Sequence, residues 1–137
     1  MFSNVFPRLF GQFREGQIVR ASFAYATSGT KYTADANTFN ARGNTLTVSR
    51  TSAGKVTVTF PKCRKVEILD FRIANVTPGT VTSNRLVELP PMTDAIAKAG
   101  SFNAALYSGF VGTGTPAFAV ADPIDGSFLQ LALYLGQ

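Results

Sequence analysis

The sequence contains no histidine, no tryptophan and only one cysteine among its 137 residues. Histidine is the commonest general acid or base in enzymes and the usual activator of a nucleophile, so its absence removes the partner that most mechanisms need. Only eight carboxylates are spread along the chain. Two of them, Asp122 and Asp125, are close enough to suggest a cation loop, but Asp-Pro-x-Asp-Gly is already a sufficient turn sequence. We therefore expect a protein that is not an enzyme and that uses no cofactor or metal.

The single cysteine, Cys63, excludes a disulfide within the chain. The first ten residues, MFSNVFPRLF, lack the apolar stretch and small-residue cleavage site of a signal peptide, so we expect synthesis in a reducing cytoplasm. Cys63 lies in the densest basic run, between Lys62 and Arg64, and positive neighbours would lower the pKa of its thiol. Without histidine as a base, we do not expect Cys63 to be catalytic.

Charged residues make up only 15% of the chain, with 13 lysines and arginines against eight carboxylates, for a formal net charge of +5. The basic residues are scattered, and no arginine-rich arm or RNA-binding motif is visible. No apolar run approaches the ~18 residues that a membrane span requires. This pattern favours a solvated surface, with no nucleic acid and no membrane as partner.

Residues 1–17 differ in character from the rest of the chain and form a predicted N-terminal docking arm. Pro7 argues against one continuous helix, so we expect a helical piece from about residue 7 to residue 16 with an extended segment before it. The spacing of the large apolar side chains places them on one face. The arm could fold over its own domain, dock on a neighbouring subunit or partner, or lie on a membrane surface. Its candidate partner-binding residues are Phe2, Phe6, Arg8, Leu9, Phe10, Phe13 and Arg14.

From residue 18 onward, short stretches alternate apolar and polar side chains and are separated by turn residues, which is typical of antiparallel sheet. The clearest case is a hairpin in which residues 45–50 and 55–60 flank a turn that ends at Gly54. Residues 127–135 form the strongest strand pattern, and we expect that strand to lie inside a sheet. The predicted core includes Val56, Val58, Phe60, Leu129, Leu131, Leu133 and Leu135.

The remaining segments give a fold class. Residues 65–76 are apolar but their alternation slips, which indicates either a β-bulge near Ile68 or a central strand packed on both faces. Residues 93–100 predict one short helix, residues 30–44 a loop or irregular edge strand, and residues 101–111 a strand broken by Gly109. Turns are expected at residues 77–80, 112–116 and 122–126. We predict a single all-β domain at residues 18–137, an antiparallel β-sandwich or jelly roll.

The segment VSRTSAGKVTVTFPKCRKVEILDFRIANVT and the ending AVADPIDGSFLQLALYLGQ resemble the small β-sandwich virion proteins of tailed bacteriophages. The shared features are a Thr/Ser/Gly turn, a V-T-V-T strand ending in proline, an A-N-V-T segment and a D-P-x-D-G turn before the last strand. The likeness spans roughly residues 45–137.

The resemblance implies a structural role as a capsid decoration, or cement, protein. Such a protein is made in the host cytoplasm, binds the major capsid protein or another virion protein on the capsid surface, and is expected to be a homo-oligomer. The alternative is a phage tail, fibre or adsorption-associated module that binds protein or carbohydrate. Sugar binding usually needs exposed aromatic side chains, for which the candidates are Tyr25, Tyr32, Tyr107 and Tyr134.

Overall fold

Nine strands and one short helix make up the part of the chain that the computed structural model describes, which comprises residues 16–34, 46–74, 86–110 and 117–136. The elements in chain order are β1 (Gly16–Tyr25), β2 (Tyr32–Ala34), β3 (Thr47–Ser52), β4 (Lys55–Thr59), β5 (Lys65–Ala74), β6 (Leu86–Glu88), α1 (Asp94–Ala99), β7 (Ser101–Phe110), β8 (Ala117–Val120) and β9 (Phe128–Gly136).

The strands form two antiparallel sheets, which confirms the predicted all-β sandwich. Sheet A has the order β2-β1-β9-β5. Sheet B has the order β3-β4-β7-β6, and β8 pairs with the far half of β7. β4 and β8 therefore lie end to end along one side of β7, because β4 pairs with residues 101–105 and β8 with residues 107–110.

The core lies between the sheets and is built from the inward side chains of alternating strands. All seven predicted core residues are buried, and Val56, Val58, Leu129 and Leu133 have no exposed surface. β9 lies between β1 and β5, as expected for the strongest strand pattern. Its pairing on both sides makes β9 an interior strand of sheet A.

The slipped alternation of β5 is explained by a bulge. The register of β5 against β9 shifts between Ile68 and Asp70, which leaves Leu69 as the extra residue, 52% exposed. β5 lies at the end of sheet A, so the bulge interpretation is right and the central-strand interpretation is wrong. Bulges are common on edge strands, where they disturb the regular row of backbone donors and acceptors.

The predicted helix is confirmed as α1, with both of its caps. The Thr93 hydroxyl accepts a hydrogen bond from the backbone N–H of Ile96 at 3.3 Å. Gly100 ends the helix in the left-handed conformation with φ 75°, and its N–H donates to the Ile96 carbonyl. Glycine adopts this conformation without a Cβ clash, which is why it commonly ends helices.

Several boundaries differ from the sequence prediction. β1 begins at Gly16, so residues 16 and 17, which we assigned to the arm, belong to sheet A. β7 continues through Gly109, which pairs with Phe118 and does not break the strand. The predicted turns at residues 77–80 and 112–116 lie outside the described residues, as does most of the polar stretch after β2.

Candidate functional site

The densest group of polar contacts lies at one end of the sandwich, where the segment that joins β8 to β9 meets the β3–β4 turn. The Asp122 carboxylate is the centre of this group. Arg50 of β3 donates from Nε to both carboxylate oxygens at 3.0 Å, and its Nη2 lies 2.9 Å from Oδ2. The backbone N–H of Gly54 donates to Oδ1 at 2.9 Å. We call Asp122, Arg50, Gly54 and Tyr25 the Asp122 clamp.

Tyr25 brings sheet A into the clamp. It is the last residue of β1, and its hydroxyl hydrogen-bonds the Asp122 carboxylate. Its ring packs against that of Tyr32, with centroids 5.2 Å apart. Because Arg50 and Gly54 belong to the sheet B hairpin, one carboxylate connects both sheets.

A second connection lies a few residues further along the same segment. Thr27 donates from its backbone N–H to Asp125 Oδ1 at 2.9 Å, and its hydroxyl lies 3.3 Å from the same oxygen. The Tyr25 N–H donates to the Ser127 carbonyl at 2.8 Å, and the Gly126 N–H donates to the Tyr25 carbonyl at 3.1 Å. The two carboxylates once considered for a cation loop thus accept hydrogen bonds from different parts of the fold.

The pKa shifts of the clamp residues favour one ionisation state near neutral pH. Burial alone would raise the pKa of Asp122, but the hydrogen bonds from Arg50 and Gly54 and the arginine charge outweigh it, and the pKa is lowered. Burial, followed by the nearby Asp122 charge, raises the pKa of both tyrosines, Tyr25 and Tyr32. The carboxyl group is therefore ionised and the phenols are neutral near neutral pH, and this state keeps the hydrogen bonds from Arg50 and Gly54 that hold the backbone segments in place.

The lowered pKa of Asp122 gives the fold a specific pH dependence. A carboxylate whose pKa is lower in the folded chain stabilises the fold fully above its ordinary pKa of 3.8 and loses that contribution as the pH falls through the folded value. We expect the stability difference between the wild type and Asp122→Asn, measured by urea unfolding, to be present at about pH 7 and to narrow below about pH 3.8. Contributions that are common to both proteins cancel in this difference. A difference that is constant with pH would contradict the assignment.

The pKa of the Cys63 thiol differs from the sequence prediction. Burial raises the pKa of its thiol, and the backbone hydrogen bond at Lys65 offsets this only in part. The basic neighbours at Lys62 and Arg64 are both exposed, so water screens their charges. The lowered thiol pKa predicted from the basic run is therefore wrong.

The outer face of sheet A carries a groove across β1, β9 and β5 with a volume of about 340 Å³. Ala132 contributes to its floor, and polar side chains at Arg20, Asp70, Arg72 and Gln130 line it. Arg72 Nε lies 3.4 Å from Asp70 Oδ2 and donates to Gln130 Oε1 at 3.2 Å. This groove presents exposed or half-buried polar donors and acceptors.

The outer face of sheet B is more apolar. Leu86 is 49% exposed and Phe118 is 61% exposed, and half-buried Tyr107 and Val120 lie on the same face. Beside them a groove of about 530 Å³ runs over Ala105, between Lys55 and Glu88. A large exposed aromatic side chain next to an exposed leucine is typical of a protein contact surface.

Some of the sequence-predicted site residues lie outside the described residues, and others are placed differently from the prediction. The seven candidate partner-binding residues of the arm lie outside the described residues. Tyr25 and Tyr32 were expected to be exposed but are buried, with only 4% and 6% of their surface exposed. They are buried because the end of β1 packs against β2 and the Asp122 segment. Two surface ion pairs lie on β5, between Asp70 and Arg72 at 3.4 Å and between Lys65 and Glu67 at 3.0 Å.

No known protein family, curated protein or solved structure matches the chain. No helix in the described part has the length and apolar character needed to cross a membrane. Among those same residues, no three cysteine or carboxylate side chains are grouped as metal ligands.

Proposed function

We propose that the protein is a structural virion protein, a capsid decoration protein of a tailed bacteriophage that binds the lattice of the major capsid protein and stabilises the head. On this proposal it is made in the host cytoplasm, acts on the capsid surface and has no catalytic role. The resemblance of residues 45–137 to small phage β-sandwich proteins suggests the class of partner.

One observation carries the proposal. Within the described residues, the Asp122 clamp uses its polar groups to hold the fold together, whereas large apolar side chains are exposed on both outer sheet faces. The exposed set comprises Ile18 and Leu69 of sheet A and Leu86 and Phe118 of sheet B, and Ile124 is also exposed in the segment between β8 and β9. Such a surface suits binding without chemistry, which is what a shell-stabilising protein requires.

The energetics of such binding are straightforward. A protein that binds the assembled lattice but not free capsomers adds its binding free energy to the stability of the shell. Each arm phenylalanine that becomes fully buried would contribute about 1.5 to 3 kcal/mol before ordering costs. The net charge of +5 would steer the chain toward an acidic capsid exterior.

The test is to separate the particles released by the cells that make this protein on a density gradient and to probe each fraction with an antibody against the chain. We expect the chain to travel with icosahedral heads in a fixed ratio to the major capsid protein. A variant lacking residues 1–14 should remain with the free proteins while keeping its thermal midpoint, because the arm is proposed to dock on the partner.

Two results would count against this account. A full-length chain found only among free proteins would contradict the virion role. A truncated chain that loses several kcal/mol of stability yet still travels with heads would show that the arm covers its own sandwich, since truncation of one buried phenylalanine typically costs ~3 to 5 kcal/mol.

The polar groove on sheet A favours the second candidate, a tail, fibre or adsorption-associated module. Arginine, aspartate and glutamine side chains such as Arg20, Asp70 and Gln130 are the donors and acceptors that bind sugar hydroxyls or polar peptide groups. In the gradient experiment this candidate predicts that the chain travels with tails and not with heads separated from them.

A further inference from the structure

The register of sheet B arranges the outer side chains around β7 in two rows. In one row Ala105 of β7 lies between Lys55 of β4 and Glu88 of β6. In the next row Tyr107 lies between Val120 of β8 and Leu86 of β6, and these two rows lie on the same outer face. β7 therefore divides the face into a left column with Lys55 and Val120 and a right column with Glu88 and Leu86.

These two rows combine unpaired charges with exposed apolar surface. Lys55 and Glu88 form no ion pair within the described residues, and at about 4.8 Å per strand spacing their backbones lie roughly 10 Å apart across β7. Leu86, at 49% exposed, continues this face beyond the charged row. Opposite charges on the two sides of an apolar centre are the arrangement that a self-complementary interface needs.

We propose that this face binds the same face of a second copy of the chain, related by a twofold axis that lies in the interface and runs parallel to β7. Such an axis exchanges the left and right columns. Lys55 of each copy then lies opposite Glu88 of the other, which forms two ion pairs. Val120 of each copy likewise lies opposite Leu86 of the other. Tyr107 and Ala105 each lie opposite the same residue of the other copy.

Other twofold axes do not give this match. An axis in the interface but perpendicular to β7 would place the left column against itself, so that Lys55 would lie opposite apolar side chains such as Val120 or Phe118. That arrangement would bury an unpaired charge, which is costly. Charge complementarity therefore selects the parallel axis.

The dimensions are adequate for a dimer. The ten residues of β7 span about 33 Å, and four strand widths add about 19 Å, so the face offers up to about 600 Å². Two such faces would bury up to about 1,200 Å² in total, which is the lower end of the range for specific, stable interfaces. The small Ala105 side chain allows the two sheets to approach the usual separation of about 10 Å. This dimer does not depend on the proposed virion function.

The test uses charge reversal in the full-length chain, with mass measured by sedimentation equilibrium. The wild type should reversibly form a dimer. Lys55→Glu and Glu88→Lys should each weaken dimerisation by at least about tenfold, because each replaces two attractive pairs with two repulsive ones. An equimolar mixture of the two variants should regain dimer mass, because a heterodimer places every negative residue opposite a positive one. The double variant Lys55→Glu/Glu88→Lys should also dimerise.

Lys65→Glu is the matched control, because Lys65 is an exposed lysine on a strand of the other sheet and pairs within the chain with Glu67. It should leave dimerisation unchanged. Circular dichroism and thermal midpoints establish that each variant is folded. The proposal is overturned if the wild type stays monomeric up to about 1 mM, if it forms a trimer or larger ring, if the single variants dimerise as well as the wild type, or if their mixture stays monomeric.

Discussion

Replacing Asp122 with alanine is expected to lower the free energy of unfolding by about 3 kcal/mol. The carboxylate accepts hydrogen bonds from Arg50, from the Gly54 N–H and from the Tyr25 hydroxyl. Without it, the Tyr25 hydroxyl and the Gly54 N–H lose an acceptor, and Arg50 loses its counterion. The measurement is urea unfolding at neutral pH, followed by circular dichroism.

The matched control is Asp125→Ala, which removes a second carboxylate of the same segment. Among the described residues, that carboxylate accepts hydrogen bonds from the exposed Thr27 alone. The substitution should cost about 1 kcal/mol, the usual contribution of a hydrogen bond at the surface. Asp122→Asn should lie between the two, because the amide oxygen can still accept from Gly54. If Asp122→Ala destabilises no more than Asp125→Ala, the clamp does not connect the sheets as described.

The near-ultraviolet circular dichroism of the tyrosines reports locally on the loss of the Asp122 clamp. Tyr25 and Tyr32 have their rings 5.2 Å apart at the clamp, so loosening Tyr25 should alter the tyrosine band before the strands unfold. Asp125→Ala should leave that band unchanged. This separates the loss of the clamp from a general loss of stability.

Local periodicity was enough to predict the strands and much of the core. In β9 and in the β3–β4 hairpin, successive side chains point to opposite faces, so alternation in the sequence directly identifies the buried side. The caps of α1 are equally local, since Thr93 and Gly100 act on residues within four positions of themselves. Features set by neighbouring residues in the chain are therefore visible in the sequence.

Features that depend on strands distant in the sequence could not be predicted from local periodicity. The slip in β5 indicated a bulge or a two-sided strand, and only its place at the edge of sheet A distinguishes them. Asp122 was interpreted as a turn residue because its partner Arg50 lies 72 positions earlier. Similarly, nothing in the local sequence relates Lys55 to Glu88, which become symmetric only through the register of β7.

The second large effect is expected at Gly54, where alanine should lower the free energy of unfolding by about 3 kcal/mol. Gly54 has φ 68°, a conformation that costs other residues about 1 to 2 kcal/mol. A Cβ at this position would lie 2.5 Å from the backbone nitrogen of Ala121 and 2.6 Å from Val120 Cγ1. The strand end at Ala121 would have to move, and it is held by its own hydrogen bond to the Leu106 carbonyl at 3.0 Å.

Gly29→Ala separates the backbone penalty of a positive φ from the steric clash of a Cβ at Gly54. Gly29 has φ 71°, and a Cβ there would meet no atom within 4 Å, so Gly29→Ala should show the backbone penalty alone, about 1 kcal/mol. The excess at Gly54 then measures the close approach of the hairpin turn to the β8 end. Because the Gly54 N–H also donates to Asp122, Gly54→Ala and Asp122→Ala should be less than additive when combined. Equal losses at the two glycines, or full additivity with Asp122→Ala, would mean that the turn and the clamp do not form one unit.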